Sequence, residues 1–364
     1  MRIAAAILAA GFSSRMGSFK PLMELGGVSL LGRCARLFRQ AGVDEIVVVA
    51  GHRHAEIEAE AQRLSLHCIH NPHFAEGMLT SAQQAAQHLT DYDGFFLLPV
   101  DIPLVRPATV RVLLTTFNGR KTLIPSYDGT TGHPPLIAAS LIPQILDYRG
   151  TGGLKELLAV SPAELVPVWD RGILLDADTN DDFHTLTQKY QRIEIGETEE
   201  AMILPRQEMP DKGVRHGLAV ADITLTIGRA LNQHEYHLDE ELLYNAALLH
   251  DIGKGRKNHE QAGADLLVAC GLGDLAPIVA AHRGVPLPAS GGLTEKEVVC
   301  LADKLVRGTL RLTVVRRFQE KLEIYADDPE AIAAIRRYQA QAVALQKRVE
   351  DITGKSIDML LGAS

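Results

Sequence analysis

The chain of 364 residues lacks any apolar run long enough to cross a bilayer. The one apolar stretch near its start, residues 3–8, is short, and no small-residue cleavage site follows it. A cytoplasmic location is therefore expected. Cysteine is scarce: Cys34, Cys68, Cys270 and Cys300 are the only four, and none forms a C-x-x-C pair. That excludes a disulfide framework and a thiolate zinc site, leaving small buried hydrophobes in a reducing compartment. Positive charge is also short, with 37 Lys and Arg against 45 Asp and Glu and a net charge of −8. Sequence-independent nucleic-acid binding needs a basic face, so no nucleic-acid partner is expected. Internal repeats and low-complexity tracts are missing. So are two common phosphate loops. Lys20 is followed by Pro21, which rules out G-x-x-x-x-G-K-[ST], and position 13 is serine, which rules out G-x-G-x-x-G.

What is present divides in two. Hydrophobic content of 46% and charged content of 23% suit a folded chain, and the length suggests two domains. Residues 1–193 alternate buried strands (3–8, 45–50, 94–100) with helical patterns (30–41, 55–64, 80–89). This predicts a Rossmann-like α/β domain with a mostly parallel sheet, whose ligands bind beyond the carboxyl ends of the strands. Residues 194–210 collect Glu194, Glu197, Glu199 and Glu200 with Pro205 and Pro210, and read as an exposed linker. Residues 211–364 carry apolar residues at i, i+3, i+4 spacing and predict an all-α domain, with helices over 214–231, 238–250, 261–270, 275–282, 294–310 and 331–360.

The first strand opens into Leu8-Ala9-Ala10-Gly11-Phe12-Ser13-Ser14-Arg15-Met16-Gly17-Ser18-Phe19-Lys20. Glycines let backbone N–H groups approach an anion and hydroxyls add donors. Such loops also serve as ordinary turns, but Arg15 and Lys20 together turn the reading toward a triphosphate. Asp101, in Leu98-Pro99-Val100-Asp101-Ile102-Pro103, ends a buried strand, placed either to hold Mg²⁺ or to cap the helix starting near Pro107. Gly77 and Ser81 either present donors to a ligand or start a helix. His133 sits in the rigid Gly132-His133-Pro134-Pro135 turn. Asp176, Asp178, Asp181 and Asp182 form an acidic cluster, part of which can serve as a helix N-cap.

The loop residues Leu8, Ala9, Ala10, Gly11, Ser13, Arg15, Met16, Gly17 and Lys20 resemble the L-A-A-G-x-S-x-R-M-G-x-x-K signature of the MobA-like nucleotidyltransferases, and within them the molybdenum cofactor cytidylyltransferases. The resemblance implies that Leu8, Ala9, Ala10, Gly11, Ser13, Gly17 and Lys20 bind nucleotide. It implies Arg15, Lys20 and Asp101 as the catalytic set, with Mg²⁺ on Asp101 and on Asp178 as second ligand, Asp176 being next in line. Gly77, Ser81 and His133 would border the acceptor. The donor would be an NTP, CTP foremost, and the acceptor molybdopterin carrying molybdenum, with molybdoenzyme maturation proteins as partners. Here Asn180 and Asp181 stand where the family has Pro and Glu, and Pro135 where it has Val.

The C-terminal half holds its chemistry in histidines. His216, His250-Asp251, His259, His282 and Asp303 lie at helix ends or in apolar contexts. Imidazoles with carboxylates and no thiolate suit Fe, Mn, Zn or Mg, and a buried aspartate needs a cation. His216, His250, Asp251 and Asp303 resemble, in order, the H…HD…D signature of the HD-domain phosphohydrolases, and His259 and His282 the extra ligands of the two-metal subgroup. The resemblance implies one or two divalent metals and a metal-bound water that attacks a phosphate ester, with Lys254 or Arg283 steadying the phosphate. The whole then reads as a bifunctional nucleotidyltransferase and phosphohydrolase. The alternative is a transferase for a sugar or alditol phosphate whose HD half senses metal or nucleotide without turnover. RNA-processing nucleotidyltransferases that also carry HD domains need a G-S with paired acidic residues near the N-terminus, which residues 1–100 lack.

Overall fold

The computed structural model describes residues 1–12, 17–288 and 292–362. They form two compact units, Met1–Gln191 and Arg192–Ser364. In the first, strands β1 (Ile3–Ala9), β4 (Ile46–Ala50), β5 (His67–His70), β6 (Gly94–Pro99), β7 (Thr122–Tyr127), β8 (Thr130–Thr131), β9 (Leu136–Ala138) and β10 (Ala163–Pro167) make one sheet. Strands β2 (Glu24–Leu25) and β3 (Val28–Ser29) form a separate hairpin. The sheet order is β10-β7-β9-β6-β1-β4-β5, with β8 paired to β7. All principal pairings are parallel except those of β9 with β6 and β7.

Helices α1 (Leu30–Gln40), α2 (His54–Arg63), α3 (Met78–His88), α4 (Pro107–Thr116), α5 (Ile142–Asp147), α6 (Gly153–Val160) and α7 (Asn180–Gln191) cover the sheet. The absence of polar alternation in β1 has a direct cause. Ala5, Ile7 and Ala9 pack into one apolar layer with Phe38 and Phe96, while Ala4, Ala6 and Leu8 pack into the other with Phe95 and Leu97. Helix α1 starts where Ser29 Oγ accepts from Gly32 N at 3.0 Å, and it buries Leu30, Leu31, Cys34, Leu37 and Phe38. Register decides where the loops emerge. Ala9 lies beside Ala50, and Leu8 beside Pro99, so the segments starting at Gly11, Gly51 and Asp101 leave the same edge.

The second unit holds α8 (Thr198–Glu208), α9 (Asp211–Asn232), α10 (Glu240–Leu249), α11 (His259–Cys270), α12 (Ala276–Ala281), α13 (Glu295–Lys304), α14 (Val314–Ile324), α15 (Pro329–Thr353) and α16 (Ile357–Leu360). Two expectations change here. The stretch expected as an exposed linker is largely helical, and Glu200, Ala201, Leu204 and Pro205 in α8 are buried. Its glutamates serve the helix start: Glu197 and Glu200 form a capping box, and acidic side chains suit the positive end of the helix. The helix expected to reach residue 310 stops at Lys304, and a hairpin of β11 (Val306–Arg307) and β12 (Leu310–Arg311) follows, turning at Gly308 with φ +61°. Among the described residues no helix is long and apolar enough to cross a membrane.

Candidate active sites

In the first unit Lys20 is the hub. It lies in a short 3₁₀ turn, Lys20–Leu22, and is almost wholly buried. Its Nζ donates to Asp178 Oδ1 at 2.7 Å and to Asp101 Oδ2 at 3.2 Å. The two aspartates come from segments far apart in sequence. They meet because Ala177 N donates to Asp101 O at 2.8 Å, seaming residues 176–178 to the end of β6. Partial desolvation, followed by the charges of Asp178, Asp101 and Asp182, pushes the Asp176 carboxyl up. This marks a concentration of negative charge that Lys20 only partly offsets. Asp182 is used otherwise: its Oδ2 accepts from Thr179 N at 2.8 Å and Thr179 Oγ1 at 2.7 Å, holding the start of α7.

A cavity of about 310 Å³ is lined by Leu8, Gly11, Lys20, Gly77, Ser81 and Asp101, among others. Among the described residues, a Cβ added at Gly11 would meet nothing within 4 Å. Ser81 is buried and its Oγ accepts from Asn71 Nδ2 at 2.9 Å. Next to this cavity, and sharing Leu8, Gly77 and Pro99 with it, lies a cleft of about 1240 Å³. His133 lines it, with a buried Nδ1 that has no hydrogen-bond partner among the described residues, and burial pushes its imidazole below the ordinary value. The cleft is also lined by Arg149-Gly150-Thr151-Gly152-Gly153-Leu154-Lys155, which the sequence reading passed over. Its glycines and two cations have the same make-up as the first loop and were the available signal. Ser13 and Arg15 lie outside the described residues; Gly17 lies within them at φ +67°.

In the second unit six side chains from five helical segments converge. Two close approaches make this possible. Gly217 of α9 faces the Leu248 carbonyl of α10, and an added Cβ would lie 2.3 Å from that oxygen. Gly253 sits against the start of α11, where a Cβ would lie 2.1 Å from His259 O. Only glycine fits either position. His216, His250 and His282 are buried. Their Nδ1 atoms face the carbonyls of Gly308 at 2.9 Å, Ala247 at 2.7 Å and Val279 at 2.6 Å. A carbonyl only accepts, so each Nδ1 donates, which turns each Nε2 toward the cluster as the ring atom available to a metal.

Those Nε2 atoms surround Asp251 in two sets. Asp251 Oδ2 lies 3.9 Å from His216 Nε2 and 3.7 Å from His250 Nε2. Oδ1 lies 3.7 Å from His282 Nε2 and 4.0 Å from His259 Nε2. Asp303 Oδ1 is 3.3 Å from His216 and 3.5 Å from His250. Ligands held about 2.1 Å from one cation stand roughly 3–3.5 Å apart, so these gaps suit a central ion better than direct hydrogen bonds. Among the described residues the buried Nε2 of His250 makes no well-formed hydrogen bond, its nearest acceptor being Asp303 Oδ1 at 3.5 Å, which leaves it available to a metal. Two groupings, His216–His250–Asp251 and Asp251–His259–His282, each keep their ligand atoms within 4.8 Å of one another. The donor set of imidazole and carboxylate therefore fits one or two divalent ions sharing Asp251.

In the metal-free cluster the imidazoles and carboxylates answer each other: burial alone would lower the His250 imidazole, but Asp303 and Asp251 outweigh it and hold it above the ordinary value. Burial, then the neighbouring His250, pushes the His282 imidazole down to about 4, leaving it neutral. Burial alone would raise the Asp303 carboxyl, yet Lys304, His216 and His250 hold it well below the usual range. Asp251 is likewise held low against its burial, chiefly by His250 and Lys254. Lys254 and Arg283 both line the cavity beside this cluster, Lys254 paired with Asp251 and Arg283 lying 3.2 Å from Glu260.

Residues 5–167 match the MobA-like NTP transferase domain, and residues 213–308 match the HD domain. Over 188 residues the chain is 30% identical to the molybdenum cofactor cytidylyltransferase of Escherichia coli (strain K12), covering 51% of this chain and 96% of that protein. The chain belongs to the MobA-like NTP transferases. The MobA-like domain occupies the first unit and the HD domain the second. The bifunctional IPC transferase and DIPP synthase of Rubrobacter xylanophilus is 38% identical over 118 residues, 31% of this chain and 26% of that protein. The crystal structure of Rv0371c from Mycobacterium tuberculosis H37Rv is 26% identical, with a TM-score of 0.47, covering 52% of this chain and 98% of that one.

Proposed function

We propose that the MobA-like domain transfers a cytidylyl group from CTP to molybdopterin carrying molybdenum. An oxygen of the acceptor phosphate attacks the α-phosphorus of CTP, the bond to the β-phosphate breaks with its electron pair, and pyrophosphate leaves. Lys20, together with Arg15, neutralises the triphosphate, and Gly11 lets the loop backbone approach it. Asp101 and Asp178 would hold Mg²⁺, which supplies further charge neutralisation at the phosphates. Gly77, Ser81, His133 and the loop at 149–155 would border the acceptor in the larger cleft. The observation that carries this reading is the meeting of Lys20, Asp101 and Asp178 beside the cavity lined by Gly11, Phe12 and Lys20.

The test is pyrophosphate release from CTP or GTP with molybdenum cofactor present and absent. Release only with CTP and cofactor, abolished by Asp101→Ala, is the expected result. Equal release with GTP, or release with an alditol or sugar phosphate in place of the cofactor, overturns the choice of donor or acceptor.

The HD domain, in the same proposal, hydrolyses a phosphate ester or anhydride. His216, His250, Asp251 and Asp303 would hold one divalent ion, and His259 and His282 a second shared through Asp251. The ions would supply a water of lowered pKa. Water adds to phosphorus, and the leaving oxygen departs with the bond's electrons and takes up a proton. Hydrolysis by the Mn²⁺-loaded chain that disappears in Asp251→Ala supports this. Loaded protein that turns over no phosphate compound supports the sensing alternative.

A further inference from the structure

The HD cavity, about 400 Å³, is lined by more cations than its ligand cluster uses. Lys254 is committed to Asp251, Arg283 to Glu260, and Lys304 to Asp303 and the His282 carbonyl. Arg317 and Lys321, one turn apart on α14, also line the cavity and form no ion pair among the described residues. Arg317 Nε is buried with no hydrogen-bond partner among the described residues. Burial, then the charges of Lys304 and Arg317, pushes the Lys321 ammonium down to about 8, with Asp303 opposing and Arg283 adding a weaker repulsion.

Two like charges facing one cavity, one with an unanswered donor, raise the energy of the free protein and await an acceptor. The carboxylates of the cluster do not answer them, since Asp251 and Asp303 are already paired with lysines. A phosphate seated at the histidine–aspartate cluster would already be met by the ions and the paired lysines there. A second anionic group on the same ligand would match Arg317 and Lys321. The cavity is also lined by Ala331, Ala334, Ile335 and Tyr338 of α15, an apolar and aromatic wall for the rest of such a molecule.

We propose that the HD cavity binds a substrate with two phosphate groups, a diphosphate or a bisphosphate, with the scissile phosphate at the histidine–aspartate cluster and the second on Arg317 and Lys321. The assignment of the scissile end rests on the hydrolytic reading above; the second anion site rests on α14. Monophosphates lack the second contact and are the poorer ligands.

The test uses the full chain carrying Lys20→Ala, so that the transferase pocket contributes least, loaded with Mn²⁺ and titrated by calorimetry. Methylenediphosphonate and orthophosphate are the probes. The diphosphonate should bind about tenfold or more tightly than orthophosphate, the scale of one charge-assisted contact. R317A/K321A should remove that advantage while leaving orthophosphate binding within about twofold, and R317K/K321R should keep it. Should the double variant not fold, Lys321→Ala alone should move the affinities in the same direction. Equal affinity for the two anions, or an advantage that survives R317A/K321A, overturns the proposal. A separate turnover assay with pyrophosphate and a monophosphate reads the other claim. Diphosphonate binding through Arg317 and Lys321 without any turnover supports the second anion site and overturns the hydrolytic reading.

Discussion

Replacing Lys20 by methionine separates what this side chain does in the free protein from what it does with nucleotide. Without ligand its ammonium bridges Asp101 and Asp178 at 3.2 and 2.7 Å, thereby competing with any divalent ion for the same oxygens. A charge-assisted hydrogen bond is worth about 1.5–3 kcal/mol. The two aspartate side chains are 25% and 30% exposed, so screening reduces each contact, and about 2 kcal/mol is a fair total. Removing the competitor should therefore tighten divalent-ion binding in the nucleotide-free chain by about 30-fold. The proposed cytidylyl transfer should fall at the same time, because in that proposal Lys20 supplies a buried cation to the triphosphate. The measurement is titration with Mn²⁺ followed by electron paramagnetic resonance of the free ion. A background of His250→Ala/Asp251→Ala keeps the HD domain from contributing. Unchanged or weaker Mn²⁺ binding in Lys20→Met, or transfer at the parental rate, would refute the reasoning.

Asp251 faces both histidine sets, so Asp251→Ala should lower bound metal at both positions together; elemental analysis after gel filtration checks this, and full retention of metal would contradict a shared ligand. In the chelator-treated chain His282 should make stability depend on pH. Its folded pKa of about 4 lies below the ordinary 6.5, so the unfolded chain binds more protons between those values. Its contribution is complete above about pH 6.5 and is lost as pH falls toward 4, a total of about 3 kcal/mol. Urea titrations of His282→Gln should lack that slope, and an unchanged slope would remove His282 as its source. In the first domain, Phe38 is fully buried with its ring 5.5 Å from that of Phe96. Phe38→Ala should cost about 3–5 kcal/mol in denaturant unfolding; a loss under about 1 kcal/mol would mean that the site collapses around the gap.

Much of this protein was legible in the sequence because the relevant physics is local. The unbroken apolar run in β1 announces a strand covered on both faces, and the small-residue loop after it announces a ligand edge, since both properties belong to neighbouring residues. The helical spacing of the second half likewise announced its helices, and His250-Asp251 marked a helix end. Where local signals were ambiguous the reading failed. The glutamates before Pro205 suit an exposed linker as well as a helix N-terminus, and only burial of Ala201 and Leu204 distinguishes them. The hairpin after Lys304 hides in an apolar pattern that a helix would share, yet its Gly308 carbonyl is what orients His216.

The sequence alone thus pointed to the two domain families and their fold classes, and proposed a set of candidate ligands. Tertiary structure alone decided which charges meet. Lys20 reaches Asp178 across 158 positions because a backbone hydrogen bond seams two chain segments. Asp251 shows one oxygen to each histidine pair because Gly217 and Gly253 let helices approach within backbone contact. Lys254 is tied up while Arg317 and Lys321 are left facing the cavity, a distinction no spacing encodes. Electrostatic energy depends on distance and burial, and for residues far apart along the chain both exist only after folding.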